Sequence, residues 1–424
     1  MDISEHDSNG EKTFVLPKQL MAISALWFGM NFFWSVILPL WLPERVTDFA
    51  GDAQKGTYLF YITSMGAFVS TLIQLVIGPI SDRSPFRWGR RRPYIFWGTI
   101  LTIPCFLLFT GASTFGMFLI GFVLIQIILN IATGPYQAIM PDLVPRHKHG
   151  LASAYMGFAL ILGQGCAFVL AGFLVRTQVW LLASIMTVIL VGTMLWTVLG
   201  TLEKPLAGKW QRVTLKDILD IRLKGNADFG WLIVSRFFIN LGFYTATFFL
   251  YFYMRDSIGL GENALRSTSI LLLTATWAGL LGNWPAGLAA DRYSKKKVLY
   301  FTCTILGIAV LWFLFVESVM WVYAVGVLFG IGWGAFAAVD WALAVNLVPV
   351  REAGRYMAIW HLAWTLPQVI APAVGPLGDK INRIYGHGLG WRVALGFILI
   401  YLIIGVAAVS RIHEHPVSTE EETS

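Results

Sequence analysis

The sequence predicts an all-α membrane protein in which twelve transmembrane helices form two pseudo-symmetric six-helix bundles. Of its 424 residues, 57% are hydrophobic and only 13% are charged, whereas soluble domains carry about 25% charged residues. Apolar stretches of about 20 residues, the length that crosses a bilayer, recur along the chain. A basic motif occurs twice, at 78–92 and at 287–297, each time between two such stretches. These observations favour a repeated membrane fold over any soluble class.

The basic motif shows the repeat most clearly. Gly78 and Asp82 in the first copy correspond to Gly287 and Asp291 in the second, and both pairs lie 209 residues apart. Basic residues follow the aspartate in each copy. A repeat of this length, with each copy flanked by apolar segments, indicates two similar halves.

Short polar turns separate most of the predicted spans. The spans lie at 19–41, 58–80, 93–112, 115–140, 150–174, 179–200, 230–253, 268–289, 297–316, 320–347, 354–377 and 391–411. The predicted segments are a tail at 1–18, a bundle at 19–200, a linker at 201–229, a second bundle at 230–411 and a tail at 412–424. Within the linker, Thr214–Leu223 is expected to form a short amphipathic helix on the membrane surface.

Lysine and arginine residues predict the orientation of the chain. They are concentrated in alternate loops, and the more basic loops of a membrane protein lie on the cytosolic side. Both termini are therefore predicted to be cytosolic, in a multi-pass protein of the bacterial inner membrane or plasma membrane. The net charge of +7 fits basic loops at a lipid bilayer better than nucleic-acid binding. The protein is predicted to be monomeric.

Two acids lie in the predicted helices away from their external ends. An ionisable group inside a membrane is costly and is a functional candidate by default. Asp340 lies well inside the span 320–347, and Asp142 lies near the cytosolic end of the fourth helix. A carboxyl at such a place can bind and release a proton near neutral pH, so both are predicted proton-coupling residues. The alternative for Asp340 is a structural ion pair or hydrogen-bond network.

Arg236 and His361 are further ionisable candidates. Arg236 can neutralise a carboxylate or donate to a sugar hydroxyl, or its side chain can extend to the cytosolic face of the membrane. The second interpretation is slightly favoured. His361 suits proton relay because its intrinsic pKa lies near neutral pH, and a hydrogen-bonded core histidine is the favoured alternative.

The remaining candidates are amide and aromatic residues within the spans. Amides hydrogen-bond hydroxyl groups and aromatic faces cover the apolar C–H surface of a sugar, although amides also join helices in membranes. The predicted substrate-binding residues are Asn31, Trp34, Gln126, Asn130, Gln137, Gln164, Asn240, Tyr244, Trp341, His361, Trp364 and Gln368.

The two basic motifs resemble the Gly-x-x-x-Asp-Arg…Gly-Arg-Arg signature of the major facilitator superfamily, which follows helices 2 and 8 of that fold. The resemblance implies the major facilitator fold and a gating role for both copies, with the glycines allowing close helix packing. The predicted gating residues are Gly78, Asp82, Arg83, Gly89, Arg90, Arg91, Gly287, Asp291 and Arg292.

A closer resemblance covers mainly the second to the fifth span. The segment Gly134-Pro-Tyr-Gln-Ala…Asp142-Leu and the triple arginine before Pro93 look like those of plant sucrose–proton symporters. In that group the aspartate carries the proton, which implies this role for Asp142. Gln137 stands where the family has arginine, which weakens the inference that the substrate is sucrose itself. The alternative for Asp142 is a gating salt bridge with Arg146.

No catalytic constellation is present in the sequence. It has no Walker loop, no Gly-x-Ser-x-Gly and no Cys/His cluster with metal-ligand spacing. We therefore predict no enzyme activity, no cofactor, no metal site and no disulfide, and we expect Gly330–Gly334 to pack helices.

Without a nucleotide site, transport is driven by a gradient. The leading hypothesis is symport of a small-molecule substrate, a sugar or glycoside such as sucrose or maltose, with protons. The alternatives are a proton-coupled exporter of another small organic solute and a sodium-coupled sugar symporter.

Overall fold

The computed structural model describes residues 17–145, 148–201, 203, 226–347 and 353–413. Within these ranges the chain is helical almost throughout and contains no β-strand. The predicted all-α fold class is therefore confirmed. The predicted surface helix at Thr214–Leu223 lies outside the described residues.

Helices α1 to α8 precede the linker. They are α1 (Pro17–Val36), a π-helical turn (Ile37–Trp41), α2 (Leu42–Ala50), α3 (Lys55–Asp82), α4 (Arg92–Thr110), α5 (Phe115–Gln137), α6 (Ile139–Leu143), α7 (His149–Leu174) and α8 (Val179–Gly200). Thr114 starts α5, because its side chain accepts a hydrogen bond from the amide of Met117 and so satisfies one of the free N–H groups of the first turn.

Helices α9 to α15 follow the linker. They are α9 (Ala227–Phe252), a π-helical turn (Tyr253–Ser257), a 3-10 turn (Gly261–Asn263), α10 (Ala264–Arg292), α11 (Lys295–Phe315), α12 (Val319–Leu347), α13 (Ala353–Ile370), a 3-10 turn (Ala371–Val374), α14 (Gly375–Tyr385) and α15 (Leu389–Ser410). Asn226 starts α9 by accepting from the amide of Phe229 at 2.9 Å. It also donates to the carbonyl of Leu347 at the end of α12, at 2.7 Å.

Eleven helical segments within the described ranges are long and apolar enough to cross a membrane. They coincide with eleven of the twelve predicted spans. The remaining prediction, 354–377, corresponds to α13, the 3-10 turn after it and the first residues of α14. Mean hydropathy in these segments is between 1.3 and 2.6 over their most apolar windows, which fits an integral membrane protein with many spans.

The described residues form two compact units. One lies within Met1–Phe49 and Met65–Asp220, and the other within Ala50–Ser64 and Ile221–Ser424. The helix α3 is therefore divided: from Lys55 to Ser64 its contacts belong to the second unit, and from Met65 onward they belong to the first.

Small residues bring α10 and α12 close together. A Cβ added at Gly334 would collide with the backbone of Gly279, and one at Gly330 would collide with that of Ala275. The predicted packing role of the glycine-rich stretch is therefore confirmed. At Gly78 and Gly287, apart from the backbone of their own helix, no atom of the described residues lies within 4 Å of such a Cβ. The expectation that these two motif glycines allow close helix packing is therefore wrong for the described residues.

Candidate functional site

A buried ion pair joins α9 and α12 within the second unit. The Arg236 guanidinium donates from Nη1 to the Asp340 carboxylate. Arg236 is 5% exposed and Asp340 is 1% exposed. The interpretation that Arg236 extends to the cytosolic face is therefore wrong, because its side chain is held inside the helix bundle by a carboxylate. Breaking such a pair by removing one partner leaves an uncompensated buried charge, at a cost of about 3–5 kcal/mol.

Aromatic rings surround this pair on the side of α13. The Arg236 guanidinium carbon lies 3.4 Å from the centroid of the Trp360 ring and 5.7 Å from that of Trp364. Trp364 also contacts Tyr244 at 5.7 Å and Trp333 at 6.4 Å between ring centroids. A cation above an aromatic face is attracted by the ring quadrupole, more strongly where water is excluded. The rings therefore take the place of water around the buried guanidinium and help to hold it in position.

Three polar atoms next to the pair have no hydrogen-bond partner among the described residues. They are Arg236 Nε, Trp360 Nε1 and Asn240 Oδ1, all of them buried. Buried polar groups in proteins are nearly always paired, with protein or with ordered water. Two donors and one acceptor are thus available beside the ion pair for a polar ligand or for water.

The structure brings most of the predicted second-half residues into this region. Asn240 donates to the carbonyl of Ala363 on α13 at 3.2 Å, and Gln368 donates to the Tyr244 hydroxyl at 3.0 Å. Trp341 contacts Trp360 edge to face at 5.0 Å, but its side chain is half exposed. His361 lies on α13, and its side chain is outside the part of the chain that the structure describes.

The first unit carries a neutral counterpart, an amide chain made by Gln74, Gln126 and Asn130. Gln74 on α3 donates to Asn130 Oδ1 at 2.6 Å. Asn130 donates to the backbone carbonyl of Gln126 at 2.7 Å and to its side-chain oxygen at 3.2 Å. Gln126 and Asn130 are both buried. Since an amide side chain both donates and accepts, these three residues hydrogen-bond to one another without a charged group.

The other first-half candidates are more dispersed. Asn31 donates to the carbonyl of Trp27 one turn earlier on α1, at 2.8 Å. Trp34 contacts Phe122 on α5 edge to face. Gln137 is the last residue of α5 and Gln164 lies in α7, and both are partly exposed. Their predicted substrate contacts stay predictions.

Asp142 lies in a cluster of charged residues at the end of α3 and the start of α4. Its carboxylate is paired with Arg90 at 2.7 Å and also accepts from Arg91 Nε. Arg91 in addition contacts Asp82 at 2.8 Å. The first basic motif is thus tied to α6 through two arginines that share one carboxylate. The alternative partner of Asp142, Arg146, lies outside the described residues.

Glu203 is a member of this cluster that the sequence reasoning missed. It accepts from the backbone amides of Arg91 and Arg92 at 3.0 and 3.4 Å, so it caps the start of α4. Gly89 has a φ of +104°, and a Cβ at this position would collide with Glu203. The glycine of the motif is therefore required by its backbone conformation and by the approach of Glu203. The only signal in the sequence is an isolated acid just after an apolar span.

The second motif copy makes different contacts. Asp291 and Arg292 end α10 with exposed side chains. Lys296 donates to the carbonyls of Ile412 at 2.6 Å and Ser410 at 3.3 Å, at the end of α15. A cation at this place satisfies carbonyls that the helix leaves free and complements the helix dipole.

These helices and their repeat, with a polar site among apolar spans, define a polytopic integral membrane protein. The chain belongs to the Major Facilitator Superfamily, whose family model matches residues 20–372 and 267–423. The resemblance predicted from the basic motifs is therefore confirmed.

Curated relatives match part of the chain. A sucrose transport protein of Oryza sativa subsp. japonica is 27% identical over 161 residues, which is 32% of this chain and 29% of the relative. A proline/betaine transporter of Escherichia coli (strain K12) is 31% identical over 144 residues, 32% of this chain and 28% of the relative. The matched region thus spans less than a third of either relative.

Solved structures match nearly the whole chain. A bacterial homologue of the human lysosomal transporter Spinster has a TM-score of 0.69 at 15% identity, covering 94% of this chain and 98% of that one. A POT family transporter in complex with a thioalcohol-conjugated peptide has a TM-score of 0.72 at 14% identity, covering 95% and 98%. A nucleoside transporter has a TM-score of 0.67 at 12% identity, covering 93% and 100%. At this identity the likeness concerns the fold alone, and it agrees with the membership of the Major Facilitator Superfamily.

Proposed function

We propose that this protein is a secondary transporter that couples proton movement to symport of a sugar or glycoside, such as sucrose or maltose, by alternating access. The observation that carries the proposal is the Arg236–Asp340 pair, with two unused donors and one unused acceptor beside it. A sugar hydroxyl both donates and accepts, so it can satisfy atoms of both kinds. The Trp360 and Trp364 rings offer apolar faces for the C–H surface of a pyranose.

The proposed proton carrier is Asp340. Protonation would neutralise its carboxylate and remove the attraction that fixes the Arg236 guanidinium. The guanidinium, still held over the Trp360 ring, would then be able to donate to a substrate oxygen. Proton and substrate would therefore bind together, and release of either would favour reformation of the ion pair.

Asp142 remains a second candidate through the sucrose-symporter resemblance. Its side chain is 23% exposed and is shared by Arg90 and Arg91 at a helix end. Two arginines of the basic motif share this one carboxylate, which supports a gating role for Asp142. We therefore rank Asp340 first.

A ligand screen followed by uptake tests the proposal. Ligand binding to the folded protein raises its unfolding temperature, so the purified protein is heated with sucrose, maltose, betaine, proline, a dipeptide and a nucleoside. We expect a disaccharide to give the largest shift. Liposomes that contain the protein should then accumulate that sugar under an inward proton gradient and not under a sodium gradient. Stabilisation by the other solutes alone would overturn the sugar assignment, and sodium-driven uptake would overturn the proton assignment.

The aromatic cluster favours one second candidate, a zwitterionic ammonium compound. Phe243 and Trp333 stack at 4.0 Å between centroids next to Trp364, and aromatic faces attract ammonium groups. A carboxylate of such a solute would pair with Arg236. The similarity to a proline/betaine transporter points in the same direction, and the betaine and proline samples of the screen decide between the two.

A further inference from the structure

A buried lysine lies at the start of α3, at the end that the predicted topology places outside the cell. Lys55 is 2% exposed. Its ammonium pairs with Asp256 at 2.6 Å and with Asp52 at 2.9 Å, and it lies 5.3 Å from the centroid of the Phe252 ring. A lysine is almost never fully buried unless it is paired, so this contact is a specific one.

A buried carboxylate holds the next residues of α3. Asp379 on α14 accepts from the amides of Gly56 at 3.0 Å and Thr57 at 2.7 Å, and from the Thr57 hydroxyl at 2.7 Å. Asp379 is itself 2% exposed. A carboxylate at a helix start satisfies amides that have no partner within the helix and complements the helix dipole. Here the capping residue comes from a helix more than 300 positions away in the chain.

The backbones of α3 and α14 meet at two glycines. A Cβ at Gly56 would collide with the carbonyl of Gly375, and a Cβ at Gly375 would collide with the backbone of Gly56. A side chain at either position would therefore separate the two helices.

Asp256 extends the contact to α15. Its carboxylate accepts from the indole N–H of Trp391 at 2.7 Å as well as from Lys55. It lies in the π-helical turn Tyr253–Ser257, together with Arg255, which pairs with Asp52 at 3.3 Å. The start of α3 is thus held by charged residues from two elements of the second unit, the π-helical turn and α14, and Trp391 of α15 supports Asp256.

We propose that Lys55, Gly56, Thr57, Asp256 and Asp379 form a latch that must open before solute enters from the predicted external side. The inference rests on the alternating access of the proposed function. Residues Lys55–Ser64 of α3 belong to the second unit and the rest of α3 belongs to the first. Any movement of one unit against the other must therefore release the start of α3 or bend this helix.

The polar character of the latch suits repeated opening. Burying a lysine and an aspartate is unfavourable before their pairing is counted, because both charges lose their hydration. When water enters, both charges regain their hydration, so the lost contacts are replaced. An apolar contact of the same size would gain nothing from the entering water, because exposure of apolar surface to water is unfavourable.

Cysteine labelling tests the latch without knowledge of the substrate. Ser64 lies two turns after Thr57 on the same face of α3 and donates to the carbonyl of Val369 on α13 at 2.7 Å. The full-length protein without its three native cysteines, Cys105, Cys166 and Cys303, receives the reporter Ser64→Cys. Intact cells are treated from outside with a membrane-impermeant maleimide, and the labelling rate is measured.

The decisive variant is Asp379→Asn, which keeps the shape of the side chain but replaces one acceptor oxygen with an NH2 group that only donates. Since both carboxylate oxygens accept from backbone amides, of Gly56 and of Thr57, at least one of these amides loses its acceptor, and the labelling rate should rise about tenfold or more. Gly56→Ala, which separates the helices by a different route, should also raise it. The control is Lys380→Gln, next to Asp379 on the exposed side of α14, which should leave the rate unchanged.

An unchanged rate in both Asp379→Asn and Gly56→Ala would overturn the proposal, as would a rise seen only when the reagent reaches the opposite face in inside-out vesicles. A wrong substrate or coupling ion does not affect this measurement. Failure of the latch is therefore distinguishable from failure of the proposed function, which the uptake experiment tests by itself.

Discussion

The two halves of this protein bury polar groups in different ways. The first unit buries an amide chain in which Gln74, Gln126 and Asn130 satisfy one another. The second unit buries a full ion pair, Arg236–Asp340, between aromatic rings. Both halves carry the basic motif, with equivalent residues 209 positions apart. The repeat itself therefore does not account for the difference.

The contrast has a physical consequence. A neutral amide chain has the same charge at every physiological pH, so it can orient a ligand but cannot respond to a proton. When the acid of an ion pair is protonated, the net charge of the pair changes and the attraction between the two residues is lost. Coupling to protons is therefore expected from the second half, and substrate orientation from both.

The largest expected effect comes from Asp340→Asn. The substitution imitates the protonated, neutral form of the Asp340 side chain permanently, so uphill accumulation driven by a proton gradient should be lost completely. Downhill counterflow should be partly retained, because the carrier can still reorient when the acid is neutral. The measurement compares accumulation and counterflow of the same labelled solute in liposomes.

The matching control is the double substitution Arg236→Gln with Asp340→Asn. Arg236→Gln alone leaves Asp340 buried without its partner and should destabilise the protein by about 3–5 kcal/mol. The double variant should unfold near the temperature of the natural protein, because no charge is left unpaired. Proton-driven accumulation that persists in Asp340→Asn would show that the coupling lies elsewhere, with Asp142 as the next candidate.

A smaller effect is expected in the neutral half. Gln126→Leu removes the side-chain acceptor of Asn130, while the bond of Asn130 to the Gln126 backbone is kept. Loss of one such hydrogen bond is worth about 1 kcal/mol, so substrate affinity should fall about fivefold with the proton dependence unchanged. Thr133→Val serves as the control, because the Thr133 hydroxyl is buried nearby and donates to the carbonyl of Leu129 in its own helix. A loss of proton dependence in Gln126→Leu would remove the distinction between the halves.

The two motif copies offer a further comparison. Glu203 caps α4 through backbone amides, and Lys296 caps α15 through backbone carbonyls. Glu203→Gln should lower the free energy of unfolding by about 1 kcal/mol, because it removes a charge from a helix start. Lys296→Gln should cost less, since Lys296 donates to carbonyls at an exposed helix end, whereas the Glu203 side chain is 7% exposed and accepts from two backbone amides. Thermal unfolding of both variants measures the difference, and equal shifts would mean that the copies are equivalent.

The sequence was sufficient for those features that depend on local pattern. Apolar length predicted the spans, and the rarity of acids inside them singled out Asp340. Its partner was not predictable, because Arg236 lies more than 100 positions away and one arginine in a helix fits either a lipid-facing or a buried side chain. Glu203 and Asp379 were missed for the same reason. Each accepts from backbone amides, which leave no residue type to recognise in the sequence.

The smallest expected effect is a pH dependence of the latch around Asp379. Burial raises the pKa of the Asp379 carboxyl, although hydrogen bonds from Thr57 and Gly56 and the charge of Lys55 act in the opposite direction. Once the latch opens, the carboxyl returns towards its ordinary pKa of 3.8. The closed form therefore binds a proton more tightly than the open form, and acid favours the closed form.

The nearby charges modify this effect without reversing it. The hydrogen bond from Lys55 lowers the pKa of Asp52, so protonation of Asp52 favours the open form, but this side chain is 73% exposed and strongly screened. Among the described residues, the other charged groups paired at this end of α3 are Asp256, which is part of the latch, and Arg255, which pairs with Asp52. The labelling rate of Ser64→Cys should then fall as the pH decreases below the raised pKa of Asp379, with the full effect reached below 3.8. A change of about threefold or less is expected.

Because thiol reactivity itself depends on pH, the rate is divided at each pH by that of the Asp379→Asn variant, in which the dependence on titration of Asp379 should vanish. A ratio that rises with acid would mean that the hydrogen bonds to Asp379 outweigh its burial.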